Sequence, residues 1–276
     1  MLPPDLPSIT NKPLYAYRVF VKWFSFFFFG LSTLILVTIV FPIMCIVFHP
    51  KERFKKYARR FVSASFRFFV LIMHFLGGLN LETDDKGKYR HLSSKIVVAN
   101  HPSILDVVML ISLIPNADCI VNMHLNRNFI VKGVVRKLYI LNSLDLDNIL
   151  QACTESLKLG NSLIIFPEGT RTPRKGKVII KKGAARVSLY SGCNIVPVHI
   201  GGTDKYGLGK KDPWTGFNPR ERYIYDISMG PEINPEKYRD LPTPKAVRAI
   251  TREIAAFLFP QKEASAVSAV EKDDEN

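Results

Sequence analysis

The chain has little of what a metalloprotein or a disulfide-rich protein needs. Its four cysteines, Cys45, Cys119, Cys153 and Cys193, contain no Cys-x-x-Cys pair. Its six histidines show no His-x-His or His-x-x-x-His spacing. Both absences argue against a zinc site, whose ligands recur at short, regular spacings. We therefore predict no metal, and reduced, mostly buried cysteines as in a protein that faces the cytosol.

Two further absences narrow the class of protein. No Gly-x-Ser-x-Gly sequence is present, so the strand-to-helix nucleophile elbow of many serine hydrolases is missing. No nucleic-acid recognition motif accompanies the formal net charge of +14, although such a charge commonly attracts nucleic acid. We therefore predict no nucleic-acid partner. Because the N-terminal part is strongly apolar, an anionic membrane surface fits the basic chain better.

Charge is also absent from Trp23–Phe48, which contains no Asp, Glu, Lys or Arg. At 1.5 Å per residue a single helix of this length would measure about 39 Å, more than the roughly 30 Å hydrocarbon core of a bilayer. The run either spans a membrane with tilt or bends at Pro42 and re-enters it. A signal peptide fits poorly because the run is too long. Basic residues are denser after the run than before it, which places the rest of the chain on the cytoplasmic side of the cell (inner) membrane.

The segment Phe61–Leu79 is aromatic-rich but carries Arg67 and His74. That composition is poor for an isolated membrane span. It fits a helix that lies at the membrane interface, with the Arg67 side chain reaching to head groups. A buried helix of the soluble domain is the alternative interpretation.

Three regions are predicted along the chain: a membrane-embedded or re-entrant helical region over residues 1–81, an α/β domain over 82–262 and a disordered acidic tail over 263–276. The polar segment Glu82–Tyr89 marks the first boundary. Strands and helices then alternate, which favours a mostly parallel sheet flanked by helices. The predicted strands are Ile96–Ala99, Asp118–Val121, Ser162–Phe166, Ile195–Ile200 and Tyr223–Met229. The predicted helices are Ser103–Leu113, Asn128–Leu141, Asp147–Leu159, Gly183–Tyr190 and Pro244–Phe259.

His101 and Asp106 follow the first of these strands directly, at a strand end where α/β folds collect their chemistry. Five residues rotate about 140° on an ideal helix, so the two side chains meet only if His101 precedes the helix and Asp106 lies in its first turn. The carboxylate then fixes the imidazole tautomer and stabilises the imidazolium. Ser103-x-x-Asp106 is also a capping box that would open the helix. Ser103 lacks the surroundings of a nucleophile.

Glu168-Gly169-Thr170-Arg171 follows the predicted strand Ser162–Phe166. It opens a basic stretch that contains no acid through residue 186. The planar guanidinium of Arg171, whose N–H donors form a fork, suits bidentate phosphate binding, and Gly169 lets a ligand approach the backbone. Glu168 either fixes a substrate hydroxyl or ties the loop to a backbone amide. For the basic residues after Arg171, such as Arg174–Lys177, we predict a solvated loop or simple attraction to a membrane, as for most runs of charge.

His-x4-Asp together with Phe-Pro-Glu-Gly-Thr-Arg resembles the glycerolipid acyltransferase family, whose best-known members acylate 1-acylglycerol-3-phosphate. Lys182-Gly183-Ala184 is similar to the family's Lys-Gly-Ala helix start. Ile195-Val196-Pro197-Val198 is similar to its late Val-Pro-Val strand. The resemblance implies that His101 and Asp106 are catalytic. It also implies that Glu168, Gly169, Thr170 and Arg171 bind the acceptor, and that Val196, Pro197 and Val198 shape the acyl site.

The middle of the chain departs from the members that form phosphatidic acid. Asn122 stands where they have a lysine, and Leu146 stands where the arginine of their Ile-Asp-Arg group helps to hold phosphate. Two cations are therefore missing near the expected head-group site. The resemblance implies a membrane-associated O-acyltransferase, with acyl-CoA or an acyl carrier protein as co-substrate and no further cofactor. The acceptor is a lysophospholipid such as 1-acylglycerol-3-phosphate, or another lysolipid such as an aminoacyl lipid. A lipid hydrolase or a non-catalytic lipid-binding protein is the more distant alternative.

Overall fold

A seven-stranded sheet forms the centre of the molecule, in the strand order β1-β7-β6-β2-β5-β3-β4. The computed structural model describes residues 6–48, 51–121, 138–141, 145–174 and 176–260. Of the strand pairings in these ranges, only that of β6 with β7 is antiparallel; the others are parallel. The predicted fold class is therefore confirmed. The strands are β1 Leu79–Thr83, β2 Ile96–Ala99, β3 Ala117–Val121, β4 Ile140–Leu141, β5 Ser162–Ile165, β6 Ile195–Gly202 and β7 Tyr223–Met229.

Helices cover both faces of this sheet. One face packs against α3 and α5, and the other packs against α6, α7 and α8, so that each face has its own hydrophobic core. This is the layer arrangement expected for a largely parallel sheet, whose strands are buried on both sides. The helices are α1 Lys12–Ile35, α2 Phe41–Val47, α3 Lys51–Phe75, α4 Lys86–Arg90, α5 Asp106–Leu113, α6 Leu146–Lys158, α7 Gly183–Ser191 and α8 Thr243–Leu258. A π-helical turn, Leu36–Val40, joins α1 to α2, and a 3₁₀ turn, Pro235–Tyr238, precedes α8.

The apolar N-terminal run is one continuous helix from Lys12 to Val47, long and apolar enough to cross a membrane by length and composition. It does not break at Pro42. Proline has no N–H to donate within a helix. A π-helical turn lies just before Pro42, and across this wider turn the Phe41 N–H donates to the Leu36 carbonyl, so the helix stays continuous.

Helices α1 and α2 pack antiparallel against α3 as a helical hairpin. The Phe29 ring lies 5.1 Å from the Phe69 ring, and Phe48 stacks on Tyr57 at 4.4 Å. Phe61–Leu79 was predicted as a helix at the membrane interface or, alternatively, as a buried helix, and each interpretation fits one face of α3. Val62, Phe69, Val70 and Met73 are buried in the core, whereas Phe61, Phe68, Leu71 and Phe75 are exposed on the outside.

A buried ion pair ties α3 to the sheet. Arg59 Nη2 lies 2.7 Å from Asp118 Oδ2 on β3, and both side chains are almost fully buried. Burial raises the pKa of Asp118, an effect that the Arg59 charge and the Ser156 hydroxyl oppose. Removing one member of such a pair typically costs about 3–5 kcal/mol. The N-terminal region is thus fastened to the α/β domain.

Three details of the predicted organisation were wrong. The boundary at residue 82 falls inside β1, which begins at Leu79 because it pairs in parallel with β7. The helix predicted from Ser103 begins at Asp106. The helix predicted over Asn128–Leu141 cannot include Ile140–Leu141, which pair with β3 as strand β4; residues 128–137 lie outside the described part of the chain. The predicted tail, 263–276, also lies outside it.

A long loop over residues 203–222 connects β6 to β7 and docks on α1. The Lys22 ammonium is buried and donates to the carbonyls of Trp214 and Gly216, both at 2.5 Å. The ring of Trp214 also contacts Trp23 at 6.1 Å. Because this loop reaches over the carboxyl ends of the central strands, the N-terminal helix helps to hold one wall of the site described next.

Candidate active site

The carboxyl ends of β2 and β5 lie side by side, because β2 is paired with β5 on one side and with β6 on the other. Asn100 fixes this end of β2. Its Nδ2 donates to the Ile200 carbonyl at 3.0 Å, and its Oδ1 accepts from the Ile200 N–H at 2.7 Å. The chain therefore leaves β2 in a defined direction, with His101 as the next residue. Asn100 directly precedes the His-x4-Asp motif and was not assigned a role from the sequence.

His101 and Asp106 meet as predicted from their spacing. His101 Nδ1 lies 2.8 Å from Asp106 Oδ2, with His101 in the loop before α5 and Asp106 at the first position of that helix. The Asp106 side chain is fully buried, whereas 17% of the His101 side chain is exposed. A proton on Nδ1 donated to the carboxylate leaves the lone pair of Nε2 free to accept a proton. In this geometry the imidazole can take up a proton at Nε2.

Asp106 is held in turn by Ser103. Oδ2 accepts from the Ser103 N–H at 2.7 Å, and Oδ1 accepts from the Ser103 hydroxyl at 2.5 Å. The hydroxyl also contacts Tyr225 Oη at 2.7 Å and accepts from the Leu105 N–H at 3.1 Å. Ser103 is fully buried. Its hydroxyl is therefore occupied in orienting Asp106 and is not placed as a nucleophile.

Below Asp106 the network continues to a buried cation. Tyr225, fully buried on β7, carries Lys205 Nζ over its ring at 4.7 Å. Lys205 donates to the carbonyls of Gly201, Thr203 and Ile224. Burial lowers the pKa of Lys205 to about 8, although the nearby Asp106 charge opposes this shift. Neither Tyr225 nor Lys205 was identified from the sequence.

Glu168 and Thr172 hold the backbone of His101. Glu168 Oε1 accepts from the His101 N–H at 3.0 Å and from the Thr172 hydroxyl at 2.7 Å. The Thr172 N–H donates to the His101 carbonyl at 2.7 Å. Of the two alternatives for Glu168, the structure shows the tie to a backbone amide. Phe166 adds a face-to-face contact, its ring 4.2 Å from the imidazole. Phe166 begins the Phe-Pro-Glu-Gly-Thr-Arg motif and Thr172 follows it, and neither was assigned a role from the sequence.

The second oxygen of Glu168 is unusual. Within the described residues Oε2 is buried without a hydrogen-bond partner. Burial raises the pKa of Glu168, while its bonds to Thr172 and His101 work in the opposite direction. Since Oε2 has almost no accessible surface, Glu168 acts through the backbone of His101 in this conformation.

Arg171 is oriented by the loop over residues 203–222. Its Nη1 donates to the carbonyls of Leu208 and Gly209, at 3.0 and 2.8 Å. A guanidinium has five N–H donors, so this contact fixes one edge of the fork and leaves donors for a ligand. Gly169 has a φ of +64°, and an added Cβ would lie 2.9 Å from Lys181 Nζ. This left-handed φ favours glycine at the turn. Thr170 is exposed beside it.

Arg174 is a structural residue, contrary to the interpretation of a solvated basic loop. It forms a bidentate pair with Asp204, both distances 2.6 Å, and its Nε lies 3.1 Å from Asp212. Arg174 therefore fastens the 203–222 loop to the chain that follows β5. Lys175, the next residue in the basic stretch, lies outside the described part of the chain.

The three residues predicted to shape the acyl site lie on a central strand. Val196, Pro197 and Val198 are buried in the middle of β6, next to β2. Val196 and Val198 belong to the core that α3 and α5 cover. His199 is half-buried, with Nδ1 3.2 Å from the Leu258 carbonyl. That contact agrees with a packing role rather than a chemical one.

The fold and the dyad define an α/β domain with a buried Asp/His pair at strand ends. Residues 81–201 match the sequence model of the Acyltransferase family. The resemblance drawn from the motifs is therefore confirmed, and the predicted class of enzyme, an acyltransferase, agrees with the match.

Two curated relatives are named as 1-acyl-sn-glycerol-3-phosphate acyltransferases. A probable 1-acyl-sn-glycerol-3-phosphate acyltransferase of Mycoplasma pneumoniae is 27% identical over 58% of this chain and 64% of its own length. The chloroplastic 1-acyl-sn-glycerol-3-phosphate acyltransferase LPAT1 of Arabidopsis thaliana is 34% identical over 40% of this chain and 32% of its own length. The chain thus spans between about a third and two thirds of these relatives.

A solved structure extends the likeness beyond the matched domain. The crystal structure of the 1-acyl-sn-glycerophosphate acyltransferase PlsC from Thermotoga maritima superposes with a TM-score of 0.63, over 88% of this chain and 98% of that one. The sequence identity is 18%. This likeness shows a shared fold. It covers more of this chain than residues 81–201, which match the family model.

Proposed function

We propose that the protein is a membrane-associated O-acyltransferase that esterifies the free hydroxyl of a lysophospholipid such as 1-acylglycerol-3-phosphate. The observation that carries the proposal is the dyad: a fully buried Asp106 holds the partly exposed imidazole of His101 at a strand end. Support comes from the Acyltransferase match and from the names of the relatives. The acyl donor is a thioester, acyl-CoA or an acylated carrier protein.

In the proposed reaction His101 Nε2 accepts the proton of the acceptor hydroxyl as the oxygen attacks the thioester carbonyl. The new C–O ester bond forms, the C–S bond breaks, and the leaving sulfur receives the proton from the imidazolium. Asp106 stabilises the imidazolium between these steps. No covalent acyl-enzyme is invoked, because Ser103 is buried and, among the described residues, no other nucleophile contacts the imidazole. General-base assistance of this kind contributes roughly 10²–10⁴-fold.

The acceptor lies, in this proposal, over the Glu168–Arg171 turn. Glu168 keeps His101 in place, Gly169 and Thr170 give the ligand access to the backbone, and Arg171 binds the anionic head group. Val196, Pro197 and Val198 are buried within β6, so in this proposal they shape the acyl site by fixing the packing of the central strands and not by touching the acyl chain.

Arg171→Ala should lower kcat/KM for the acceptor by roughly 10- to 150-fold, because a charge-assisted bond contributes about 1.5–3 kcal/mol. The KM for the donor should change little. Arg171→Lys should recover part of the loss, since the charge remains and the planar fork does not. Steady-state kinetics with each substrate varied in turn measures both effects.

Arg174→Ala is the matched control for that prediction. Arg174 is also an arginine tied to the 203–222 loop, so it reports the effect of loosening the loop alone. If Arg174→Ala raised the acceptor KM as much as Arg171→Ala, the effect would come from the loop and not from an anion contact. A rise confined to the donor KM would assign Arg171 to the donor phosphate.

Besides Arg171, the described residues bring the Lys181 ammonium to this turn, beside Gly169. Leu146, the first residue of α6, is 47% exposed and carries no charge where phosphatidate-forming members have arginine. Asn122 lies outside the described part of the chain. Purified protein should therefore be assayed with acyl-CoA and acyl-carrier donors against a panel of lysolipids, with products identified by mass spectrometry. A diacylglycerol phosphate product supports the proposal; failure to acylate any lysolipid contradicts it.

Membrane association in the proposal depends on the exposed apolar surface of the N-terminal hairpin, with the α/β domain on the cytoplasmic side of the cell membrane. Phe27→Ser, Ile39→Ser and Ile46→Ser together remove side chains that are 71%, 54% and 79% exposed. Each buried apolar side chain contributes about 1.5–3 kcal/mol. Wild-type protein should stay in the membrane pellet after high-salt washing, whereas the triple variant should be released in substantial part.

The matched control is Leu159→Ser, Ile179→Ser and Tyr190→Ser, whose side chains are 66%, 53% and 60% exposed on the α/β domain. This variant should pellet like the wild type. Truncation is a poorer test, because removing α3 would uncover the core beneath it. Release of wild-type protein by salt alone would show that the apolar run is not embedded.

A further inference from the structure

A groove with a volume of about 630 Å³ lies between α3, β1, α4 and the end of α5. Its apolar surface comes from Phe68, Leu71 and Leu113, and its basic surface comes from Arg67, Lys86 and Arg90. The volume is within the range of small-molecule sites. The groove thus combines an apolar wall with three cations, the chemistry of a site for an anionic amphiphile.

The three cations are available to a ligand. Arg67, Lys86 and Arg90 are exposed, and within the described residues none of them forms an ion pair. The acidic side chains nearby in sequence are otherwise engaged: Asp84 pairs with Lys88, and Asp85 accepts from the Gly87 N–H at the start of α4. Glu82 accepts from Asn80 Nδ2 at 2.7 Å. No acidic side chain is among the residues that line the groove, so its lining carries a net positive charge.

The groove is separate from the dyad. It meets α5 at Ser112 and Leu113, whereas Asp106 begins that helix. Six residues of helix separate Asp106 from Ser112, about 9 Å. The β1 wall of the groove is the edge strand, three positions from β2 in the sheet, or roughly 14 Å. A ligand held in the groove does not have to overlap the proposed acceptor site.

The exposed face of α3 leads directly into the groove. Tyr57, Phe61, Phe68, Leu71 and Phe75 are 41–79% exposed and recur at intervals of three, four or seven residues, which places them on one side of the helix. Phe68 and Leu71 also line the groove. An exposed apolar stripe of this kind beside basic residues is typical of a helix that lies in a membrane interface.

From the charge and this continuity we propose that the groove binds an anionic phospholipid of the surrounding membrane that is not a substrate. Its phosphate lies among Arg67, Lys86 and Arg90, and the start of one acyl chain lies along Phe68 and Leu71. Occupation of the site orients the α/β domain against anionic regions of the bilayer. This inference goes beyond the proposed acyl transfer and does not depend on the reaction that the dyad performs.

The test compares Arg67→Gln, Lys86→Gln and Arg90→Gln with a control of equal charge, Lys158→Gln, Arg186→Gln and Arg239→Gln. The control residues lie on α6, on α7 and after the 3₁₀ turn, and these elements pack against the other sheet face. Purified full-length proteins in neutral detergent are titrated with phosphatidylglycerol or phosphatidylcholine, and bound lipid is quantified by native mass spectrometry.

We expect the wild type and the control to bind phosphatidylglycerol in preference to phosphatidylcholine. A basic side chain at an anionic surface contributes about fivefold in affinity, so the groove variant should lose roughly 100-fold. Its KM values for donor and acceptor in phosphatidylcholine micelles should be unchanged. Equal phosphatidylglycerol binding by the groove variant, or an equal loss in the control, would overturn the proposal. A raised donor KM in the groove variant would assign the cations to acyl-CoA and would also overturn it.

Discussion

His101→Ala should lower acyl transfer by roughly 10²–10⁴-fold, the contribution of a positioned general base. The loss should appear in kcat, because the imidazole acts on the reacting hydroxyl and the acceptor still has the Glu168–Arg171 turn to bind. Asp106 keeps its contact with the Ser103 N–H when the imidazole is removed. The fold should therefore remain intact by circular dichroism and thermal unfolding.

His199→Ala is the control for this prediction. It also removes a histidine from the end region of a central strand, but His199 contacts the Leu258 carbonyl on the side of α8. Its activity should stay close to that of the wild type. Turnover by His101→Ala at the wild-type rate would remove the dyad from the mechanism.

Asp106→Asn should reduce kcat by a smaller factor, roughly 10- to 150-fold, the value of one charge-assisted hydrogen bond of about 1.5–3 kcal/mol. Two N–H donors, from His101 and Ser103, point at Oδ2. The asparagine oxygen can occupy that position and keep the imidazole tautomer. Its amide then faces the Ser103 hydroxyl, which accepts from it and donates to Tyr225. Geometry survives, and the charge that stabilises the imidazolium is lost.

Thermal unfolding separates this explanation from a general loss of structure. Asp106→Asn should keep a melting temperature close to that of the wild type while its kcat falls. A loss of activity that comes only with a large loss of stability would make Asp106 a structural residue only.

The parts of the fold that the sequence predicted well are those with a strong local signal. β2 and β5 are short runs in which every residue is buried, and such runs are recognisable between polar turns. β7 was also predicted with its bounds. β1 was missed because Leu79–Thr83 alternates weakly and contains Asn80 and Glu82. Its strand conformation depends on pairing with β7, a contact distant in sequence.

The start of α5 shows why a motif does not determine an element boundary. Ser103-x-x-Asp106 predicted a capping box, in which the serine hydroxyl would accept from the backbone N–H of Asp106. The hydroxyl instead accepts from Leu105 and donates to the Asp106 carboxylate. The same four residues therefore close a turn before the helix, and the helix begins at Asp106. Half of the predicted box is present, because Asp106 accepts from the Ser103 N–H.

In the candidate site, the sequence predicted the residues whose neighbours are close along the chain. The meeting of His101 with Asp106 follows from five residues of spacing. The contact of Ser103 with Tyr225 joins residues 122 apart, and no local pattern indicates it. Arg174 was misread for a similar reason. Its partners Asp204 and Asp212 lie on a loop that follows β6, so the basic stretch looked unpaired when it was read by itself.

The most direct test of the central claim is a single-turnover experiment with donor labelled in the acyl group. Wild-type protein is mixed with an equimolar amount of labelled thioester, with and without 1-acylglycerol-3-phosphate, and the label is followed in the protein, in free fatty acid and in the diacyl lipid. Direct transfer under the control of His101 and Asp106 predicts that label leaves the thioester only when acceptor is present and appears only in the diacyl product. Label bound covalently to the protein, or released as fatty acid at the same rate without acceptor, would contradict it.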